Sequence, residues 1–211
     1  MTETSAFVPV AIPPVGLAGE LRLAEPARGV VIFAHGSGSS RLSPRNRQVA
    51  QALADGGMAT LLFDLLTEAE AADRGHVFDI DLLARRLVDA IDWAASRPAL
   101  ADLPIGLFGA STGAAAALKA TAARPQVVKT VVSRGGRPDL AGEALPRVKA
   151  PTLLIVGGND EPVLGWNREA AERMRAPVHV AVIPGATHLF EEPGAMEQVT
   201  ALATDWFAKR L

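Results

Sequence analysis

The chain has 211 residues, 49% of them hydrophobic and 21% charged, enough apolar mass for one buried core and too little length for two ordinary domains. It holds no cysteine, which excludes disulfides, thiolate zinc sites, iron–sulfur clusters and a cysteine nucleophile. With no tyrosine, 5% aromatics and a formal net charge of −2, it offers neither a base-stacking platform nor a basic field for nucleic acid or an anionic membrane.

The first 20 residues carry two acids, no Lys or Arg, and the prolines Pro9, Pro13 and Pro14. A secretory signal needs a basic start and an unbroken apolar stretch, so none is expected here. The apolar runs are short and bounded by Gly, Pro or charge, which argues against a membrane span and makes the cytoplasm the expected location. Phe7–Ile12 and Gly19–Leu23 read as two short strands joined by a Pro-Pro-Val-Gly turn. Gly29–His35 is nearly all apolar and runs into Gly36-Ser37-Gly38, as a strand buried on both faces would.

Ser43-Pro44 marks a helix start and Gly56-Gly57 its end. Met58–Phe63 reads as the next buried strand, followed by a polar stretch to about Gly75. Asp79–Ser96 carries Ile80, Leu83, Leu87, Ile91 and Ala94 along one helical stripe. Then come a strand at Pro104–Phe108, an alanine-rich helix at Ser111–Ala123, a strand at Val127–Val132 and a short helix at Ala141–Leu145. The last expected elements are a strand at Pro151–Val156, a helix at Asn167–Arg175, a strand at Val178–Ile183 and a helix at Met196–Leu211. Alternation at this spacing implies right-handed crossovers and a mostly parallel, doubly wound sheet. Helices would cover both its faces in three layers, the antiparallel opening pair lying at one edge of a single domain, 1–211.

Gly109-Ala110-Ser111-Thr112-Gly113 is a G-x-S-x-G pentapeptide between a buried strand and an alanine-rich helix. A nucleophilic serine on so tight a strand-to-helix turn needs small flanking residues. The helix N-terminus then points free N–H groups and positive dipole at the serine. Downstream, Asp160 follows one apolar run in Val156-Gly-Gly-Asn-Asp160. His188 follows the next in Pro184-Gly-Ala-Thr-His188.

On these residues the sequence resembles the α/β-hydrolase superfamily, from about Gly29 to its end. The order nucleophile, acid, histidine is that family's order. The resemblance implies Ser111 as nucleophile, His188 as base and Asp160 as orienting acid, with Ser37 and Thr112 N–H groups as oxyanion donors. Gly38-Ser-Ser-Arg41 and Ser43-Pro-Arg45-Asn46 are most similar to the small, lid-poor dienelactone hydrolase-like branch. Enzymes of the true dienelactone type use cysteine as nucleophile. Its absence here favours an esterase-like serine reaction on an ester, thioester or related acyl bond.

Other residues compete for these roles. His35 reads as structural, His76 as solvated or as reaching toward the pocket, and His179 as distant from the strand ends that carry the site. Asp139 is the rival acid, Asp64 a structural or pocket-edge carboxylate, and Glu161 a solvated neighbour. Gly36-Ser-Gly38 is not a dinucleotide fingerprint, because Arg41 occupies its third glycine position. No P-loop motif occurs, and the acids and histidines lack metal-ligand spacing, so neither metal nor cofactor is expected.

Arg41, Arg45, Arg134 and Arg137 lie near the expected site, and Arg41 and Arg134 are candidates for holding a carboxylate or phosphate of the substrate. The stretch from Val132 to Thr152 has room for one short helix and no large cap, so the pocket is expected to be open and walled partly by Leu65 to Val77. The expected partner is a small acyl substrate met by a monomer or homodimer. An acyltransferase or perhydrolase with the same triad, and a non-catalytic binding protein on this fold, are the alternatives.

Overall fold

An N-terminal hairpin, β1 (Val8–Ile12) and β2 (Leu17–Arg22), turns through residues 13–16 and forms one edge of an eight-stranded sheet. The computed structural model describes residues 7–211. Beyond the hairpin come β3 (Val30–Ala34), α1 (Pro44–Asp55), β4 (Ala59–Phe63), α2 (Glu68–Ala71), α3 (Arg74–Val77) and α4 (Ile80–Ala95). The chain continues through β5 (Ile105–Ala110), α5 (Thr112–Ala123), β6 (Val128–Arg134) and a 3-10 segment (Pro138–Arg147). It closes with β7 (Thr152–Gly157), α6 (Glu161–Arg173), β8 (Val178–Ile183) and α7 (Ala195–Ala208).

The strand order is β1-β2-β4-β3-β5-β6-β7-β8, with β2 antiparallel to both β1 and β4 and every other pairing parallel. Strand alternation divides the core. Ile32, Leu107 and Val131 face α4 and α5, packing with Leu87, Ile91 and the alanines of α5. Their neighbours Phe33, Phe108 and Val132 face α1 and α7, packing with Val49, Leu53, Val199 and Phe207. The result is the expected three-layer α/β architecture. Between β6 and β7 only the 3-10 segment intervenes, and the described residues include no separate cap domain.

Several boundaries differ from the sequence reading. α6 begins at Glu161, six residues before the expected Asn167, because Pro162 lies in its first turn, where its missing N–H removes no helical bond. The polar stretch after β4 contains α2 and α3, single turns too short for an apolar period. Each is capped locally: Thr67 and Glu70 form a reciprocal capping box, and Asp73 accepts from Gly75 N. The short helix expected at Ala141–Leu145 belongs to the longer 3-10 segment, which kinks at Gly142.

The chain leaves β3 for β4 on one side and returns to β5 on the other, so strand order reverses between β3 and β5. Loops that leave the carboxyl ends of two such strands diverge and open a crevice. Here those loops begin at His35 and at Ser111.

Candidate active site

Ser111 joins β5 to α5 with φ 50 and ψ −121, a strained backbone for a residue with a side chain. The surroundings enforce it. A Cβ on Gly113 would lie 2.2 Å from Ala34 O and 2.4 Å from His35 O, and one on Gly109 would lie 2.5 Å from Ala114 Cα. The two glycines of the pentapeptide let the elbow press against the end of β3. Hydrogen bonds hold it there: Ser111 N donates to Arg134 O at 3.2 Å, and Ser111 O accepts from Arg137 N at 3.1 Å.

The structure brings Ser111, His188 and Asp160 together. His188 Nε2 is 3.4 Å from Ser111 Oγ, and His188 Nδ1 is 2.7 Å from Asp160 Oδ2. Asp160 stands at the N-cap of α6, yet its side chain makes no capping bond and turns to His188 instead. The loops bearing acid and histidine are tied to each other, since Asn159 N donates to Ala186 O at 2.9 Å and Asn159 Nδ2 to Gly185 O at 3.0 Å.

Glu192, which the sequence reading missed, closes the histidine loop by accepting from Thr187 N at 3.0 Å and Thr187 Oγ1 at 2.6 Å. The Thr187 hydroxyl holds its carboxyl below the usual range. Asn167 was missed as well. Fully buried on α6, it donates to Gly136 O at 2.9 Å and Val163 O at 2.7 Å, fixing the loop after β6. A buried asparagine within a helix is a signal for such a tie, but the late predicted start of α6 hid it.

Gly36 passes so near the elbow that a Cβ on it would lie 3.0 Å from Ser111 Cβ. This brings the loop carrying Ser37 beside Thr112, the first residue of α5. Neither Ser37 N–H nor Thr112 N–H donates to another described residue. Both are available to an oxygen bound at Ser111, where the positive end of α5 adds its field. His35 anchors the same loop. Its Nε2 accepts from Leu65 N at 3.0 Å, which leaves the proton on Nδ1, 3.0 Å from Gly36 O. Burial lowers its pKa, so the ring is neutral and structural.

The arginines part ways. Arg41 donates from its backbone N to Asp64 Oδ1 at 2.7 Å and from its guanidinium to Asp64 Oδ2. Both residues line a cavity of about 670 Å3 that opens beside Ser37 and Thr112. Arg134 is 9% exposed, outside that cavity's lining, with its guanidinium 3.9 Å from Met196 Sδ. Burial, with the charge of Arg45 nearby, pushes its pKa down to about 10. Arg45 reaches Glu191 at 3.6 Å.

The rival acid Asp139 is held by Arg137 in a two-bond pair of 2.9 and 2.8 Å, and that guanidinium stacks 3.9 Å above the Trp166 ring. Of the other histidines, His76 pairs with Asp73 at 3.6 Å and His179 lies exposed on edge strand β8. Among the described residues no cluster of three or more His, Asp or Glu side chains is placed to hold a metal ion, and no helix is long and apolar enough to cross a membrane.

Comparison with known proteins agrees with this architecture. A dienelactone hydrolase from Anabaena variabilis is 54% identical with a TM-score of 0.93, each chain being covered over 98%. The dienelactone hydrolase-like promiscuous phosphotriesterase P91, from metagenomic libraries, shares the fold at 19% identity and a TM-score of 0.79, over 100% of this chain and 99% of its own. Est1E from Butyrivibrio proteoclasticus does so at 15% identity and 0.81, over 97% and 98%. A protein of two Mycobacterium tuberculosis strains, provisionally named a phosphoribosyl transferase, is 59% identical over 205 residues. That match takes in 97% of this chain and 46% of the relative, so the chain spans about half the length of the curated relatives it matches. The model of the dienelactone hydrolase family matches residues 17–210, and the chain belongs to that family.

Proposed function

We propose that this hydrolase cleaves an ester, thioester or related acyl bond of a small substrate through an acyl-enzyme on Ser111. The observation that carries this reading is the relay from Ser111 Oγ through His188 to Asp160, at 3.4 and 2.7 Å. A serine hydroxyl is a weak nucleophile until a base removes its proton, and His188 Nε2 faces it. Asp160 keeps the ring proton on Nδ1, which leaves Nε2 free as the acceptor, and it stabilises the imidazolium.

The steps then balance. Ser111 Oγ bonds to the carbonyl carbon as its proton passes to His188 Nε2, and the carbonyl oxygen takes up the negative charge. Ser37 and Thr112 N–H groups donate to that oxygen, each such donor contributing about 3 kcal/mol to lowering the barrier. The tetrahedral adduct collapses, the carbon–oxygen or carbon–sulfur bond to the leaving group breaks, and that group departs with the proton from His188. Water, deprotonated by the same nitrogen, attacks the acyl-enzyme and releases the acid with Ser111 restored. Transfer to another acceptor differs only in what replaces water. The provisional name of the mycobacterial relatives concerns a protein more than twice as long.

Labelling with a fluorophosphonate, followed by mass spectrometry of the digested protein, tests the assignment. The expected adduct is on Ser111, lost in Ser111→Ala and strongly slowed in His188→Ala. Folded protein that takes no label at Ser111 overturns it and leaves a binding role for the fold.

A further inference from the structure

The cavity beside Ser37 and Thr112 has a lining that bears on what enters it. At about 670 Å3 it falls within the range of small-molecule sites. Its accessible apolar wall comes from Leu42, which is 49% exposed, Ala71 of α2 and Val77 of α3, while the lining residues Leu65, Leu66 and Leu83 are buried. The one arginine on its wall is Arg41, which is already matched by Asp64 through both a backbone and a side-chain bond. The pair is partly buried, with side chains 28% and 21% exposed. Removing Arg41 from Asp64 would leave a carboxylate unpaired in that setting. The other charged wall residue is Glu68, an acid. A carboxylate entering here meets two carboxylates and no unpaired cation.

The wall is also braced. Glu70 of α2 binds Arg86 of α4 at 2.7 Å, and its capping box with Thr67 fixes the turn that presents Ala71 to the cavity. These ties hold α2, and with it Ala71, to α4 at the cavity's edge.

Building on the ester-hydrolase reading above, we propose that this cavity takes the uncharged apolar part of a neutral ester, a medium-length alkyl chain or an aryl ring. Asp64 serves as an internal counter-anion that occupies Arg41 and so turns away carboxylate-bearing substrates. The carbonyl then lies at the cavity mouth, between Ser111 and the two N–H donors, and the apolar group packs against Leu42, Ala71 and Val77.

The test compares the intact protein with Ala71→Trp and Asp64→Asn on p-nitrophenyl acetate, pentanoate, octanoate and the anionic hemisuccinate. In the unmodified protein kcat/KM is expected to favour octanoate over acetate, and pentanoate over hemisuccinate, each by at least about tenfold. Ala71→Trp narrows the octanoate-to-acetate ratio, and Asp64→Asn narrows the pentanoate-to-hemisuccinate ratio. Preference for hemisuccinate in the unmodified protein, or ratios that neither substitution moves, overturns the proposal. Equilibrium binding of octanamide against succinamate to the same three proteins reads the cavity without turnover. Absence of all ester cleavage with octanamide still preferred therefore counts against the serine reading alone, and equal binding of the two amides counts against the cavity.

Discussion

His188 stands between unequal partners, 2.7 Å from Asp160 Oδ2 and 3.4 Å from Ser111 Oγ. The shorter bond joins groups whose loops are already tied together through Asn159, and it fixes the ring's orientation. The longer one is of the kind that tightens when a substrate closes the site. Asp160→Asn keeps the volume and removes the charge, so on the proposed reading kcat falls by about 10³ to 10⁴. Asp139→Asn touches only the pair with Arg137 and keeps kcat within about threefold. Steady-state rates on a short neutral ester check both, with near-ultraviolet circular dichroism confirming the fold. Equal losses from the two substitutions would sink the assignment of the acid.

The elbow gives a second expectation, on stability. Gly113→Ala places a Cβ 2.2 Å from Ala34 O and 2.4 Å from His35 O, backbone atoms at the end of β3 that cannot swing aside as a flexible side chain would. Overpacking against backbone destabilises by at least about 2–3 kcal/mol. Urea titration would show a lower midpoint with an unchanged slope. Gly142→Ala forms the comparison: its φ of 53 strains a side chain, but no atom lies within 4 Å of an added Cβ, so its cost is smaller.

The parts of the site legible in the sequence are those marked by local chemistry. Ser111 announces itself through flanking glycines, a buried strand before and an alanine-rich helix after. Asp160 and His188 each follow a continuous apolar run, which places them at the same sheet edge as Ser111. The core faces of α4 and the inner strands follow from period and burial in the same way. What stayed hidden are choices of partner. Nothing local tells Arg41 to pair with Asp64, 23 residues away with α1 and β4 between them. Arg134 has the sequence position of a site residue at the end of β6, but alternation from Val132 sends its side chain to the α1 and α7 face. The wall between Leu65 and Val77 was expected from its place in the chain, but its turns α2 and α3 were illegible, because a single turn held by caps has no apolar period to read.

His35 sets a pH limit on folding stability. In the folded chain its Nε2 accepts from Leu65 N, and burial lowers its pKa below the ordinary imidazole value of about 6.5. The unfolded chain therefore binds more protons than the folded one as pH drops through 6.5. Stability from this group is complete above pH 6.5 and is lost as pH falls from there toward the folded pKa. Urea midpoints measured from pH 8 down to pH 5 are expected to fall, and to fall less in His35→Gln, whose amide oxygen can accept from Leu65 N without titrating. The same slope in both proteins would remove His35 as the source.

Arg134 carries the last prediction. Its guanidinium is buried, its recorded polar contact is the Met196 thioether, its Nε has no hydrogen-bond partner, and Arg45 opposes its charge. With a pKa of about 10 it remains a cation at neutral pH. A charge held there without a carboxylate lowers stability relative to an apolar chain of similar length. Methionine supplies such a chain and adapts to the space beside Met196. Arg134→Met is expected to raise the urea midpoint and stabilise the fold by about 1 kcal/mol or more. Because the side chain lies outside the cavity lining, kcat/KM on neutral esters stays within about threefold. A loss of stability would mean that the guanidinium is satisfied in solution by an anion. Selective loss of activity on anionic esters would return Arg134 to the role that its place in the sequence first suggested.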